Sequence, residues 1–229
     1  FPYDDLEFLN YRFDTHGQKG HYGVALASKP EPLRVIRGYA SDAEDAQRRM
    51  IRGVYTLGDG TEITVFNGYF PQGESRDHPI KFPAKEAFYR DLLTTLETEY
   101  APTDQVVIMG DFNIAPVDHD IGITDDAKKR WLRTGKTSFL PEERAWFDRL
   151  IQWGLVDSWR SVHPEVSDRY SWFDYRSRGF EDDPKRGLRI DHILVSKPLM
   201  ERMTDCGIDY TLRAMDKPSD HCPVWITLE

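Results

Sequence analysis

The stretch Val106-Val107-Ile108-Met109-Gly110-Asp111-Phe112-Asn113 decides how the rest of the chain is read. Its first residues are apolar and mostly β-branched, as in a buried strand, and the glycine marks where that strand ends. Asp111 and Asn113 then stand at the C-terminal edge, and residues two apart on an extended chain face the same side. A carboxylate and a carboxamide thus point together from a rigid support. One can take a proton from water, and the other can orient that water. A turn held by Asx hydrogen bonds would use the same residues, so the motif alone leaves both readings open.

Outward from this strand, similar runs recur at residues 24–27, 33–37, 51–57, 63–68, 190–195 and 224–228, most of them β-branched and bounded by Gly, Pro or Asp. Gly58-Asp59-Gly60 falls between two of them and tolerates positive φ, which marks a hairpin. Helices are fewer. Over residues 83–100, Phe88, Leu92 and Leu96, and likewise Tyr89, Leu93 and Tyr100, recur at helical spacing. A second helix starts at Pro141, has Glu142 and Glu143 near its positive end and stops before Gly154, with Trp146, Leu150 and Trp153 as its buried stripe. The polar segments 73–81 and 180–187 lie between ordered elements, where functional loops concentrate.

The 229 residues, 39% hydrophobic and 30% charged, exclude a disordered tail and suit one globular domain spanning residues 1–229. No apolar run approaches the ~20 residues of a membrane helix. The opening Phe1-Pro2-Tyr3-Asp4-Asp5 carries no export signal. Cys206 and Cys222, in no CxxC spacing, suit a reducing cytosol and a packing role. The net charge of −9 opposes nucleic-acid binding only if charge is spread evenly. It is not: Arg48, Arg49 and Arg52 form one basic cluster, Lys128 to Lys136 a second, and Arg176, Arg178, Lys185, Arg186 and Arg189 a third. Each cluster reads first as a solvated face.

Two further sites carry chemistry. In Leu188-Arg189-Ile190-Asp191-His192-Ile193-Leu194-Val195, an acid embedded in a strand is costly without a partner. Pro218-Ser219-Asp220-His221-Cys222-Pro223-Val224 offers an Asp-His pair just before the last strand, and a carboxylate that orients an imidazole aims a proton donor. Either alone is equally a capped turn. The order Gly-Asp-x-Asn, Ile-Asp-His, Ser-Asp-His is hard to obtain by chance.

This set resembles the exonuclease/endonuclease/phosphatase superfamily. The run from Asn67-Gly68-Tyr69-Phe70-Pro71-Gln72 to Pro79, and Tyr170-Ser171-Trp172-Phe173-Asp174-Tyr175-Arg176-Ser177, resemble its bacterial exonuclease III branch along essentially the whole chain. The resemblance implies an α/β fold in which two packed, mainly antiparallel β-sheets are flanked by helices, a four-layer DNase I-like sandwich with its site at one end. It implies a DNA repair hydrolase: a 3′-to-5′ exonuclease on duplex DNA, an abasic-site endonuclease and a 3′-phosphatase, monomeric and free of membranes in a bacterial cytoplasm.

By the same resemblance Asp111 would activate water or assist the leaving group, Asn113 would hold water and phosphate, and Asp191 would orient His221, which would stabilise developing charge. Tyr69 would hydrogen-bond the scissile phosphate. Gln72, Arg176 and Trp172 would contact DNA, Trp172 as a wedge or pocket wall at an abasic position. Mg²⁺, replaceable by Mn²⁺, would sit among Asp111, Asn113, Asp220 and His221. Carboxylates held ~4 Å apart repel by roughly 1–4 kcal/mol, so converging acids favour a hard cation with oxygen ligands. His16, His21, His119 and His163 read as surface or structural residues, and Trp131, Trp146, Trp153 and Trp159 as core. An enzyme acting on phosphorylated lipids or inositols finds no support in the 69–79 and 172–177 runs.

In the family an Asn-bearing strand, and then a Gln-Glu element whose Glu is the principal metal ligand, precede a Phe-Pro like Phe1-Pro2. Neither is found here. The alternative expectation is therefore a catalytically impaired remnant that still binds DNA, with activity and solubility restored by supplying that segment.

Overall fold

The structure is a computed structural model that describes all of residues 1–229. The chain forms strands β1 (Arg12–Gly17), β2 (Gly23–Ser28), β3 (Arg34–Arg37), β4 (Met50–Thr56), β5 (Glu62–Tyr69), β6 (Val106–Asp111), β7 (Leu155–Asp157), β8 (Asp191–Ser196), β9 (Met203–Ile208) and β10 (Val224–Leu228). Among the helices are α1 (Tyr3–Leu6), α2 (Lys81–Glu99), α3 (Asp125–Thr134) and α4 (Pro141–Trp153), followed by the short α5 (Ser158–Val162), α6 (Lys197–Met200) and α7 (Tyr210–Arg213). The central sheet runs β3-β4-β5-β6-β8-β7 and is antiparallel except between β5 and β6. That pair is parallel because the connection crosses over through α2, as parallel neighbours require.

Alternation along the strands divides the apolar residues between two faces. Phe66 on β5, Val106 and Ile108 on β6 and Leu194 on β8 join Tyr89, Leu92, Leu96, Phe147 and Leu150 in a core beneath α2 and α4. Their sequence neighbours Val65, Val107, Ile193 and Val195 face the other way and pack with Val224, Ile226 and Leu228 of β10. The β1–β2 hairpin covers the same face: Asn67 Nδ2 donates to the Ala25 carbonyl at 2.9 Å, and Leu26 closes over Gly53. The second layer is thus two separate hairpins, β1-β2 and β9-β10, stacked on a six-stranded sheet.

The hairpin at Gly58-Asp59-Gly60 joins β4 to β5, and the helix from Pro141 ends at Gly154 as the sequence implies. The stripes differ in detail. α2 buries Lys85, Tyr89, Leu92, Thr95 and Leu96, whereas α4 buries Glu143, Trp146, Phe147 and Leu150, with Trp153 only half-buried. Helix α3 has no buried residue, so no apolar period announces it. Its caps do: the Thr124 hydroxyl accepts from Ala127 N, and Gly135 takes the left-handed position after the last turn.

The solvated-face reading of the basic clusters fails at Arg49, Arg52 and Arg189, all buried. Arg52 meets Glu99 at 2.8 Å and the Tyr100 hydroxyl at 3.1 Å. Arg189 grips both oxygens of Asp120 at 2.7 and 3.0 Å, and both of Asp157 at 3.1 and 2.6 Å. The reason is that a guanidinium with paired acceptors can be buried, and its plane matches a carboxylate's two oxygens.

Gly68 and Gly110 are directly paired across β5 and β6. A Cβ on Gly110, whose φ is +136°, would lie 1.9 Å from the Gly68 carbonyl oxygen, so the strands approach as they do only because residue 110 lacks a side chain; a Cβ on Gly68 would instead meet the Phe70 and Met50 side chains. Gly110→Ala should cost about 3 kcal/mol or more in urea unfolding, since backbone strain and a clash with backbone add. A loss below about 0.5 kcal/mol, the range of an ordinary surface change, would mean that β5 and β6 can separate freely.

Candidate active site

The register of three strands builds the site. Tyr69 lies opposite Asp111, and Asp111 opposite Asp191, so β5, β6 and β8 place them in one cross-strand row. All three take the alternating positions of the face that carries the hairpins. Directly behind this row comes the Gly68–Gly110–His192 row.

Asn113 follows β6 with φ +52°, in the left-handed region that Asn tolerates better than most residues. This turns its backbone N–H onto Asp111 Oδ1 at 2.9 Å and its Nδ2 onto Asp111 Oδ2 at 2.8 Å; Nδ2 also donates to the Phe70 carbonyl at 3.0 Å. The Asx turn and the paired functional groups are therefore one structure. Asp191, costly alone in a strand, has its partner: His221 Nδ1 lies 2.8 Å from Asp191 Oδ2 and 3.1 Å from Oδ1. Nδ1 carries the proton in this pair, which leaves Nε2 free. The chain of neighbours continues through a bridge between His221 and Trp172, whose Nε1 donates to Asp220 Oδ2 at 3.0 Å.

Charges at the row are strongly perturbed. Burial first, and then the facing charge of Asp191, raise the Asp111 carboxyl to about 7, against the pull of His221. Burial works against a charged His221, but the hydrogen bond and charge of Asp191 prevail and raise the imidazole to about 9. Acids and imidazole of Asp111, Asp191 and His221 lie within 4.8 Å of one another. Facing carboxylates with oxygen donors and no thiolate fit a hard divalent cation, which would relieve the repulsion that raises Asp111. Asp220 is outside this group, engaged with Trp172.

Of the residues expected to meet DNA, Gln72 is exposed but tied at both ends, Nε2 to Thr137 Oγ1 at 2.8 Å and Oε1 to Glu74 N at 2.7 Å. Trp172 and Arg176 line a cleft of about 390 Å³ with Arg130, Trp131 and Lys136. Trp131 is half-buried core, one face stacked on Phe139 and Lys136 Nζ 3.6 Å from its ring centroid. On the opposite side Tyr69 lines a groove of about 680 Å³. His16 lines that groove half-buried, while His119 is exposed.

Sequence reasoning missed what steadies Tyr69. The Arg49 guanidinium sits 3.8 Å from the Tyr22 ring centroid and 4.6 Å from that of Tyr69, and Nη1 donates to the Tyr69 carbonyl at 3.0 Å. Nothing local in sequence marks this sandwich, because its members come from separate strands and loops.

This geometry can be set beside known proteins. The Endonuclease/Exonuclease/phosphatase family model matches residues 2–221. The chain belongs to this family. It is 59% identical over 225 residues, 98% of its own length and 83% of the relative's, to exodeoxyribonuclease III of Haemophilus influenzae. Among solved structures it is similar to the 3′ phosphatase NExo from Neisseria bound to a product DNA hairpin, with TM-score 0.86 and 37% identity over 100% of this chain and 83% of that one. It is similar too to an AP endonuclease from Archaeoglobus fulgidus, with TM-score 0.87 and 32% identity over 100% and 83% of the respective chains. The DNase I-like fold and exonuclease III-type hydrolase expected from the sequence both hold. Divalent-metal dependence is general in the family.

His221 should titrate near pH 9 by NMR in the metal-free protein, from an ordinary value of 6.5. A raised folded pKa means that its stabilising contribution is full below about pH 6.5 and lost as pH rises through about 9. Asp191→Asn removes the largest raising influence and leaves burial opposed only by Asp111 and Asp220, so the midpoint should fall from about 9 toward the ordinary 6.5. A midpoint unchanged by Asp191→Asn would dissociate the pair.

Proposed function

We propose that the chain hydrolyses DNA phosphodiesters with Mg²⁺, as an exonuclease III-type repair enzyme acting at 3′ ends and abasic sites of duplex DNA. One observation carries this reading: the cross-strand row Tyr69, Asp111, Asp191, completed by Asn113 and His221, in a chain so similar to an exodeoxyribonuclease III. That identity favours the enzyme over a DNA-binding remnant.

In this reading the Asp111 carboxylate takes a proton from water. Asn113 holds the carboxylate in position through Nδ2 and the backbone N–H. His221, kept protonated by Asp191, presents Nε2–H to the charge that develops on phosphate oxygens. In this reading His221 acts mainly as a hydrogen-bond donor, and the carboxylates take the larger part in holding the metal. The Tyr69 hydroxyl would hydrogen-bond the phosphate from the row's outer end. Asp111 and Asp191, with Asn113 and Asp220 nearby, would hold Mg²⁺ or Mn²⁺, which would supply Lewis-acid stabilisation of phosphate charge. Trp172 and Arg176 would meet the duplex in their cleft, Trp172 as the wedge and Arg176 on a phosphate.

The 229 residues would act as one domain, since both hairpins pack on one central sheet, and the family resemblance adds that this domain would work as a monomer. A bacterial cytoplasmic location is consistent with the free Cys206 and Cys222, and no helix is long and apolar enough to cross a membrane.

Asp111→Asn and His221→Ala should each lower kcat on an abasic duplex by roughly 10²–10⁴-fold, because they act on protons and charge in the transition state. DNA affinity by fluorescence anisotropy should stay within about threefold. Equal losses of affinity and turnover would remove these roles. Trp172→Ala should weaken abasic-site incision more than 3′-phosphate removal, as only the first needs a deformed duplex held open. Parallel losses would reduce Trp172 to packing.

A further inference from the structure

Two opposite charges stand where helices α2 and α4 bury apolar residues. Lys85 lies in the stripe with Tyr89, Leu92 and Leu96, Glu143 in the stripe with Trp146, Phe147 and Leu150, and both are fully buried. Lys85 Nζ is 2.5 Å from Glu143 Oε1, 2.8 Å from the Asn113 carbonyl and 3.3 Å from the Gln72 carbonyl, so its three protons have three acceptors. The other Glu143 oxygen accepts from Ser138 N and Leu140 N, both at 2.8 Å. One turn along α2, the Tyr89 hydroxyl donates to the Phe112 carbonyl at 2.6 Å.

We propose that Lys85, oriented by Glu143 and assisted by Tyr89, is the positioning residue of the Asp111–Asn113 turn. Gripping the consecutive carbonyls of Phe112 and Asn113 fixes both peptide planes around Asn113. That holds φ at +52° and keeps the Asn113 N–H and Nδ2 on the Asp111 carboxylate. Helix packing alone does not call for a charge pair here, since well-packed apolar residues of similar volume often serve as well or better. An apolar pair would lack the acceptor that Glu143 gives to Ser138 N and Leu140 N at the start of α4, and, at residue 85, a donor for the Asn113 carbonyl. The same ammonium ties the Gln72 loop to the Asn113 loop, so it aligns the segments after β5 and β6 with each other.

This rests on the proposed function, and the test separates the two. Lys85→Met alone leaves Glu143 buried without its partner and should destabilise the chain in urea. The double variant Lys85→Met/Glu143→Met removes both charges and should recover part of that stability, the rest staying lost because Ser138 N and Leu140 N no longer have their acceptor. Its kcat on an abasic duplex should nevertheless stay down by about tenfold or more with KM nearly unchanged, because positioning is expressed in turnover. Independently of activity, hydrogen exchange at the Asn113 backbone and side-chain amides should quicken by about tenfold, while central amides of β5 and β8 keep their protection. If the double variant folds poorly, Tyr89→Phe provides the milder lesion, losing only the hydroxyl on the Phe112 carbonyl, and should shift Asn113 exchange in the same direction. Wild-type kcat together with undisturbed Asn113 exchange in these variants would overturn the proposal and leave Lys85–Glu143 a packing pair. Inactive wild-type chain with Asn113 exchange altered in the variants would instead sink the functional reading and keep the positioning one.

Discussion

The site depends on the register between β5, β6 and β8. With side chains alternating across a sheet, a shift of one residue on any of these strands would send Tyr69, Asp111 or Asp191 to the α2–α4 face and bring its neighbour outward. The neighbours are Gly68, Gly110 and His192, none of which could replace the row. Glycine at 110 lets the backbones close, since a Cβ there would meet the Gly68 carbonyl, while glycine at 68 leaves room for Phe70 and Met50. Function and strand packing thus constrain the same four or five residues. This is why glycine, rather than a residue with better strand propensity, precedes Asp111.

Around that row the protein arranges charge so that neither of two facing acids is neutralised directly by a lysine or arginine side chain. Asp191 has His221, and Asp111 has only donors from Asn113 and is left raised by burial and by Asp191. Elsewhere the same chain pairs its buried acids fully. Against the burial that would raise it, the charge and hydrogen bonds of Arg189 hold the Asp157 carboxyl well below the usual range. The imidazole of His192 donates Nε2–H to the Ile114 carbonyl at 2.8 Å, so its Nδ1 accepts from Arg189 at 2.9 Å. This network anchors β8 next to Asp191 and the loop next to Asn113. The contrast between acids fully paired and an acid left without a basic side chain separates structural burial from a site prepared for a proton and a cation.

Much of the fold was legible because its signals are local. The runs at 51–57, 63–68 and 224–228 carry their own β-branched pattern, Pro141 and Gly154 bracket α4, and Gly58-Asp59-Gly60 makes its turn without help from elsewhere. Helix α3 was overlooked because it buries nothing, although Thr124 and Gly135 cap it. Lys85 and Glu143 also had a signal: each interrupts an apolar stripe at helical spacing, and opposite charges in the stripes of two helices invite pairing. The basic clusters misled because proximity in sequence says nothing about facing. Arg48 is exposed, whereas Arg49 is buried between two tyrosines.

By itself the sequence determined which residue types could do chemistry, where the strands that carry them end, and, through resemblance, the family and the DNase I-like fold. Tertiary structure alone decided which acids share a partner. Asp111 and Asp191 are far apart along the chain, and Asp191 and His221 likewise; only the order β5-β6-β8 and the return of the chain before β10 place them side by side. It also decided that Asp220 faces Trp172, that Arg49 steadies Tyr69 and that Lys85 reaches the Asn113 carbonyl. The physical reason is one of range. Propensity, caps and alternation act over a few residues, but burial and charge coupling depend on distances through space, which chain order does not encode locally.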